Sequence, residues 1–275
     1  MPVTPQIPNR YIKVSKEVIL ASTLPEHRIS ILAYLNHNQT WDEMVHYSPI
    51  YMIQWSGYKA NWRTSTKDKP NIYDKYLLCM NWYFENGYIL DFDSDKYLQN
   101  NFQSSFLNME KLIPDKNFGI IYDFEIAAIM KYQSSYKPLN KSILLLLLSY
   151  IRAFTWTRTN EITGHSEKSK KDKPEIFHSN FEAMGGFLGM NRKMVSRATT
   201  VLEELGLIKT YRMPSYKDKE SNWRTDDIIY IFPYKILLNN KTFRICDNDE
   251  YDWERELKYG IQYLFERRNK KFYQE

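Results

Sequence analysis

Residues 181–200 run Phe181-Glu-Ala-Met-Gly-Gly-Phe-Leu-Gly-Met-Asn-Arg-Lys-Met-Val-Ser-Arg-Ala-Thr-Thr200, and their spacing predicts two short helices joined by a tight turn. A helix-turn-helix needs a small residue where the helices cross, a glycine in the turn, and apolar side chains that lock one crossing angle. Gly185 supplies the first and Gly189 the second, while Met184, Leu188, Met190, Val195 and Ala198 fall on inward positions. The outer face of the second helix is then Asn191, Arg192, Lys193, Ser196, Arg197 and Thr200. Such side chains donate to phosphate oxygens and base edges. A guanidinium pairs twice with the major-groove acceptors of guanine, so Arg192 and Arg197 are the expected base readers, with Asn191 and Ser196 placing the helix on the backbone. A plain helical hairpin inside a core shares this spacing; the charge of the outer face and the segment that follows favour DNA.

Downstream, Gly206 closes the second helix and the chain continues Leu207-Ile-Lys-Thr-Tyr-Arg212, a charged stretch from Ser215 to Asp227, then Ile228-Ile-Tyr-Ile-Phe232. Two apolar strands around a hydrophilic loop read as a β-hairpin. Lys209, Arg212, Lys217, Lys219 and Arg224 make that hairpin basic, which suits salt-dependent phosphate contacts. Upstream, the apolar run Ile143–Leu148 sits in a helix expected over 141–154, too short for a bilayer and apolar enough all round for a central core helix. A charged loop fills 158–174, and Phe118 to Met130 leads into this half.

The first half repeats that grammar. Residues 10–21 read as a strand running into a helical turn, 25–37 as a helix behind Pro25, 48–57 as a helix between Pro49 and Gly57, and Asn61 to Pro70 as a loop. The best helix, 72–86, carries Tyr73, Tyr76, Leu77, Met80, Tyr83 and Phe84 on one wide face, and Tyr88 to Phe92 alternates like a strand. Both halves close a helix with a related string, Glu85-Asn-Gly-Tyr-Ile89 and Glu204-Leu-Gly-Leu-Ile208, which suggests a duplicated unit. The expected organisation is a unit over 10–95, a linker over 96–117, a second unit over 118–238, a polar break at 239–250 and a helix over 251–272. In the first unit, Lys59, Trp62, Arg63, Lys67, Lys69 and Lys75, with Trp55 and Tyr58, offer a second nucleic-acid surface of the stacking kind that suits single strands. Rings packed in a core beneath solvated lysines read the same residues equally well. The terminal helix aligns Trp253, Leu257, Ile261, Leu264 and Phe265 ahead of Arg267, Arg268, Lys270 and Lys271. Docking onto its own domain is the expectation, with a DNA-backbone or dimer contact as the alternative.

Residues 190–208, Met-Asn-Arg-Lys-Met-Val-Ser-Arg-Ala-Thr-Thr-Val-Leu-Glu-Glu-Leu-Gly-Leu-Ile, resemble the recognition helix and first wing strand of bacterial winged helix-turn-helix proteins. Two such units in tandem resemble the replication initiators of plasmids, phages and conjugative elements. The resemblance implies an α+β, mostly helical chain of two winged helix-turn-helix units plus a carboxy-terminal helix. It also implies sequence-specific binding of double-stranded DNA at a replication origin. The first unit departs from the pattern, because a long polar loop separates its second helix from Ile72.

Composition bounds the alternatives. A length of 275 residues allows two domains, and 43% hydrophobic with 16% aromatic content excludes a disordered chain. The 38 basic residues against 33 acidic ones leave a net charge of only +5, so the distribution of charge carries the argument. Cys79 and Cys246 match no disulfide or metal pattern, and no leader or 18-residue apolar span occurs, so a cytoplasmic protein is expected. Asp91, Asp93 and Asp95 alternate as in a calcium loop, but Lys96 stands where its glycine belongs and Phe102 where its bidentate glutamate belongs. The five histidines form no paired-ligand spacing, and no phosphate-binding Gly-x-x-x-x-Gly-Lys loop is present. No catalytic residue, cofactor, metal or small-molecule substrate is therefore expected. The partners expected are double-stranded DNA and either a second copy or the replication or transcription machinery. A transcriptional regulator at an operator is the alternative, and a protein-interaction module or inhibitor on a winged-helix scaffold the second.

Overall fold

Each half of the chain opens with a strand that runs straight into a helix. The computed structural model describes residues 2, 4–60, 70–133, 139–158, 172–217, 223–224, 228–239 and 241–273. The first elements are β1 (Tyr11–Ser15), α1 (Lys16–Leu20), α2 (Arg28–His37), β2 (Met44–Tyr47), α3 (Pro49–Trp55), α4 (Ile72–Glu85), α5 (Ser94–Leu98), β3 (Gln103–Phe106) and α6 (Met109–Leu112). There follow β4 (Phe118–Tyr122), α7 (Asp123–Lys131), α8 (Lys141–Phe154), β5 (Phe177–Ser179), α9 (Phe181–Leu188) and α10 (Arg192–Glu204). The chain ends with β6 (Lys209–Arg212), β7 (Tyr216–Lys217), β8 (Trp223–Arg224), β9 (Ile228–Ile231), β10 (Ile236–Asn239), β11 (Thr242–Ile245) and α11 (Trp253–Tyr273). This is an α+β fold with small antiparallel sheets.

The order strand, helix, helix, strand, helix, helix occurs twice, as β1 to α4 and as β4 to α10. Strand pairing repeats too. In the second half β9 lies between β5 and β6; in the first, β3 pairs with β2 on one side, and Leu107 just beyond it meets Ile89 on the other through a single bridge, all that forms of the strand expected over Tyr88 to Phe92. The related strings found in the sequence do the same job in both places. Gly87 and Gly206 take φ of +68° and +72°, the Tyr88 amide bonds the Tyr83 carbonyl, and the Leu207 amide bonds the Leu202 carbonyl. A left-handed residue after the last helical turn closes the free carbonyls in this way, and glycine adopts it without a Cβ clash.

Two bodies form, one of Arg10–Ala153 with Phe187–Gly189, the other of Phe154–Gly186 and Met190–Glu275 with Met1–Asn9. Two expectations about organisation are corrected here. Residues 96–117 are not a linker: β3 pairs in register with β2, Met44 opposite Phe106, and Leu112 is buried. The division falls after Ala153 instead, because β4 pairs along its length with β1 and carries α7 and α8 with it. Nor is 239–250 a plain break, since Thr242–Ile245 pairs with Ile236–Asn239.

In the amino-terminal body, α8 is the central helix its composition predicts, with Leu144 to Leu148 wholly buried. Arg28 is also wholly buried, and it donates to the Val18 and Ile19 carbonyls at 2.9 Å, so a buried cation closes the end of α1. His27 is buried with its Nδ1 2.9 Å from the Ser142 hydroxyl. Burial pushes its pKa down to about 4, against the opposing pull of the Glu26 carboxylate at 3.6 Å. An unfolded imidazole takes up its proton near pH 6.5 and the folded one only near 4, so stability holds above that window and falls as the pH is lowered through it. The slope is roughly 1.4 kcal/mol per pH unit. Urea midpoints measured from pH 7 to 4.5 should show it, and His27→Gln should flatten it; an equal slope in the variant would rule His27 out as its source.

In the carboxy-terminal body, α11 lies on the β5–β9–β6 sheet. Leu264, Ile176, Met213, Ile229 and Ile231 form the core there, with Trp253, Leu257 and Ile261 packed against it. Buried charges fix the same helix: Glu256 pairs with Arg158 and accepts the Glu175 amide at 3.1 Å, while Lys235 holds Glu175 at 2.7 Å. The terminal helix thus docks onto its own domain, as its apolar face requires. Among the described residues, no helix is long and apolar enough to cross a membrane.

Candidate nucleic-acid interface

Gly185 and Gly189 set the geometry of the hairpin. The Met190 amide donates to the Gly185 carbonyl at 2.8 Å, and a Cβ on residue 185 would stand 2.3 Å from the Met190 carbonyl oxygen. Gly189 turns the chain at φ +71°. Met184, Leu188, Met190, Val195 and Ala198 are all buried, as the spacing predicts. Asn180 and Asn191 precede the two helices and cap them, accepting the Ala183 amide at 2.7 Å and the Met194 amide at 2.9 Å. With Val195, Ala198, Thr199, Val201 and Leu202 facing inward, the rotation of α10 about its axis is settled.

Arg192, Lys193, Arg197 and Thr200 are exposed on the other side, and Ser196 is half-buried between them. Asn191 is exposed as well, and its Oδ1 caps the helix. Thr200 turns its hydroxyl back to the Ser196 carbonyl at 3.2 Å. Glu203, on the same helix, receives the Thr210 amide at 3.0 Å and its hydroxyl at 2.7 Å. That contact ties the first strand of the hairpin to α10 and keeps this carboxylate occupied. Asn180 and Glu203 were not singled out in the sequence; for Asn180 the signal was an asparagine directly before a helix.

The hairpin itself pairs as expected, β6 with β9 from Lys209↔Ile231 to Arg212↔Ile228, and β7 with β8 at Tyr216↔Arg224 and Lys217↔Trp223. Arg212 is exposed and Lys209 half-buried. Lys217 and Arg224 stand on β7 and β8, their side chains outside the described residues, as is all of Lys219.

The residues of the second surface are described only in part. Lys59 is exposed, and Trp62, Arg63, Lys67 and Lys69 lie outside the described residues. Lys75 is half-buried and holds Glu26 at 2.9 Å. Tyr58 bonds Asn140 and sits 3.0 Å from the Ser142 hydroxyl, and the Trp55 ring packs on Tyr34 and His37. At the end of α11, Phe265 is 40% exposed and Arg267 is exposed; the side chains of Arg268, Lys270 and Lys271 are outside the described residues. Among the described residues, no group of three or more His, Cys, Asp or Glu side chains is placed to hold a metal ion. No protein-family model matches the chain, and no curated protein matches it.

Proposed function

We propose that the chain is a sequence-specific double-stranded DNA-binding protein, built of two winged helix-turn-helix units in tandem, that reads the major groove with α10. One observation carries the reading: Arg192, Lys193 and Arg197 stand exposed on a helix whose opposite face is locked by the Gly185–Met190 contact. A cationic outer face on a rigid helix, beside a basic hairpin, is what phosphate contact and base reading both require. Action at the replication origin of a plasmid, phage or conjugative element is supported by the recurrence of one order of elements and one strand pairing in both halves, together with the resemblance of residues 190–208 to winged-helix readers.

Selection from a pool of random duplexes, followed by titration of the winners at two salt concentrations, tests this. One enriched motif and an affinity that falls steeply with salt are expected. A pool that stays random after repeated rounds, or an affinity indifferent to salt, would contradict it.

A further inference from the structure

Counted back from the shared glycines, the outward positions of α10 have counterparts on α4. Arg192, Lys193, Ser196, Arg197 and Thr200 correspond to Tyr73, Asp74, Leu77, Leu78 and Asn81. The inward positions agree across the pair: Val195, Ala198 and Leu202 are buried, and so are Tyr76, Cys79 and Tyr83. The two helices therefore have the same rotation and opposite surface chemistry.

Three features close α4 to a groove. Tyr73, in the place of Arg192, is 3% exposed, and its carbonyl accepts the hydroxyl of Tyr97 from α5 at 3.4 Å. Tyr97 is itself buried, so α5 covers the first turn of α4, the turn by which a reading helix meets base edges. Lys75, the one cation in Ile72–Glu85, is held by Glu26 at 2.9 Å. And where the second half places a basic hairpin between the strand after its helix and the central strand, the first half places α5, with Asp93 as its cap, between Ile89 and β3.

We infer that each chain carries a single reading helix and engages one segment of major groove, so that a site with two read segments needs two copies of the chain. The inference rests on the reading of α10 given above. It predicts what happens at guanines, since methylation at N7 blocks contact in the major groove only.

Methylation interference on a duplex selected by the full chain should mark one segment of guanines for each bound chain, with the number of chains per duplex counted by native mass spectrometry. Leu78→Ala and Asn81→Ala, both on the outer face of α4, should bind that duplex within about twofold of the parent and prefer the same bases. Two segments about 10 base pairs apart under one bound chain, or a changed base preference in either α4 variant, would overturn the inference and leave α10 as a reader. Interference that disappears from every guanine, with Arg197→Ala binding as the parent does, would instead remove α10 itself and this inference with it.

Discussion

Replacing Gly185 by alanine should destabilise the carboxy-terminal body by about 1–3 kcal/mol, the range for forcing added atoms into a packed site, and should weaken duplex binding with it. The added methyl would come within 2.3 Å of the Met190 carbonyl oxygen and 3.4 Å of its carbon. Both are backbone atoms, and Met190 is tied by its own amide to residue 185, so no side chain can swing away to make room. The hairpin must open, and α10 leaves the orientation that exposes its cations. Gly186, the next residue, is the control: nothing lies within 4 Å of a Cβ there. Gly186→Ala should be neutral or stabilising by up to about 1 kcal/mol through helix propensity. Urea unfolding of both variants measures the difference. Equal midpoints for the two would mean that the helices do not cross at Gly185.

A comparable or larger effect is expected in the amino-terminal body. Glu125 on α7 and Arg152 on α8 form an ion pair whose side chains are 0% and 4% exposed. Glu125 also accepts the Tyr122 amide at 2.8 Å, so one carboxylate both caps α7 and neutralises the guanidinium. Arg152→Met strands the carboxylate in a site without water, which costs about 3–5 kcal/mol. Adding Glu125→Gln to it should recover a large part of that loss, because the uncompensated charge is then gone. Urea unfolding at pH 7 of the parent, Arg152→Met, Glu125→Gln and the double variant gives the coupling between the two sites. A single replacement that costs under 1 kcal/mol would show the pair to be solvated.

The hairpin was legible from its sequence because its constraints are local. A small residue, a turn glycine and an apolar stripe are spaced within 20 residues, and Gly185, Gly189, Val195 and Ala198 are placed as that spacing requires. The bounds expected for α4 and α8, 72–86 and 141–154, also fall within a residue of those observed. What escaped depended on distant partners. The stretch 96–117 is polar, and only its pairing with Met44–Tyr47 and the burial of Tyr97 against α4 make it part of the body. Antiparallel pairing of Tyr11–Ser15 with Phe118–Tyr122 joins residues more than a hundred positions apart, and no periodicity within either strand announces it. Lys75 looked like a surface cation because its partner, Glu26, comes from another helix-flanking segment. Asp93, which alternates with Asp91 and Asp95 in the sequence, accepts the amides of Asp95 and Lys96 at the start of α5.

Titration of Arg197→Ala against the selected duplex and against a random one tests the reading of DNA by α10 most directly. A loss of about 1–3 kcal/mol on the selected duplex, with a relaxed preference at one base pair and little change on the random one, is the expected result. Parent-like binding of both duplexes by the variant would contradict it.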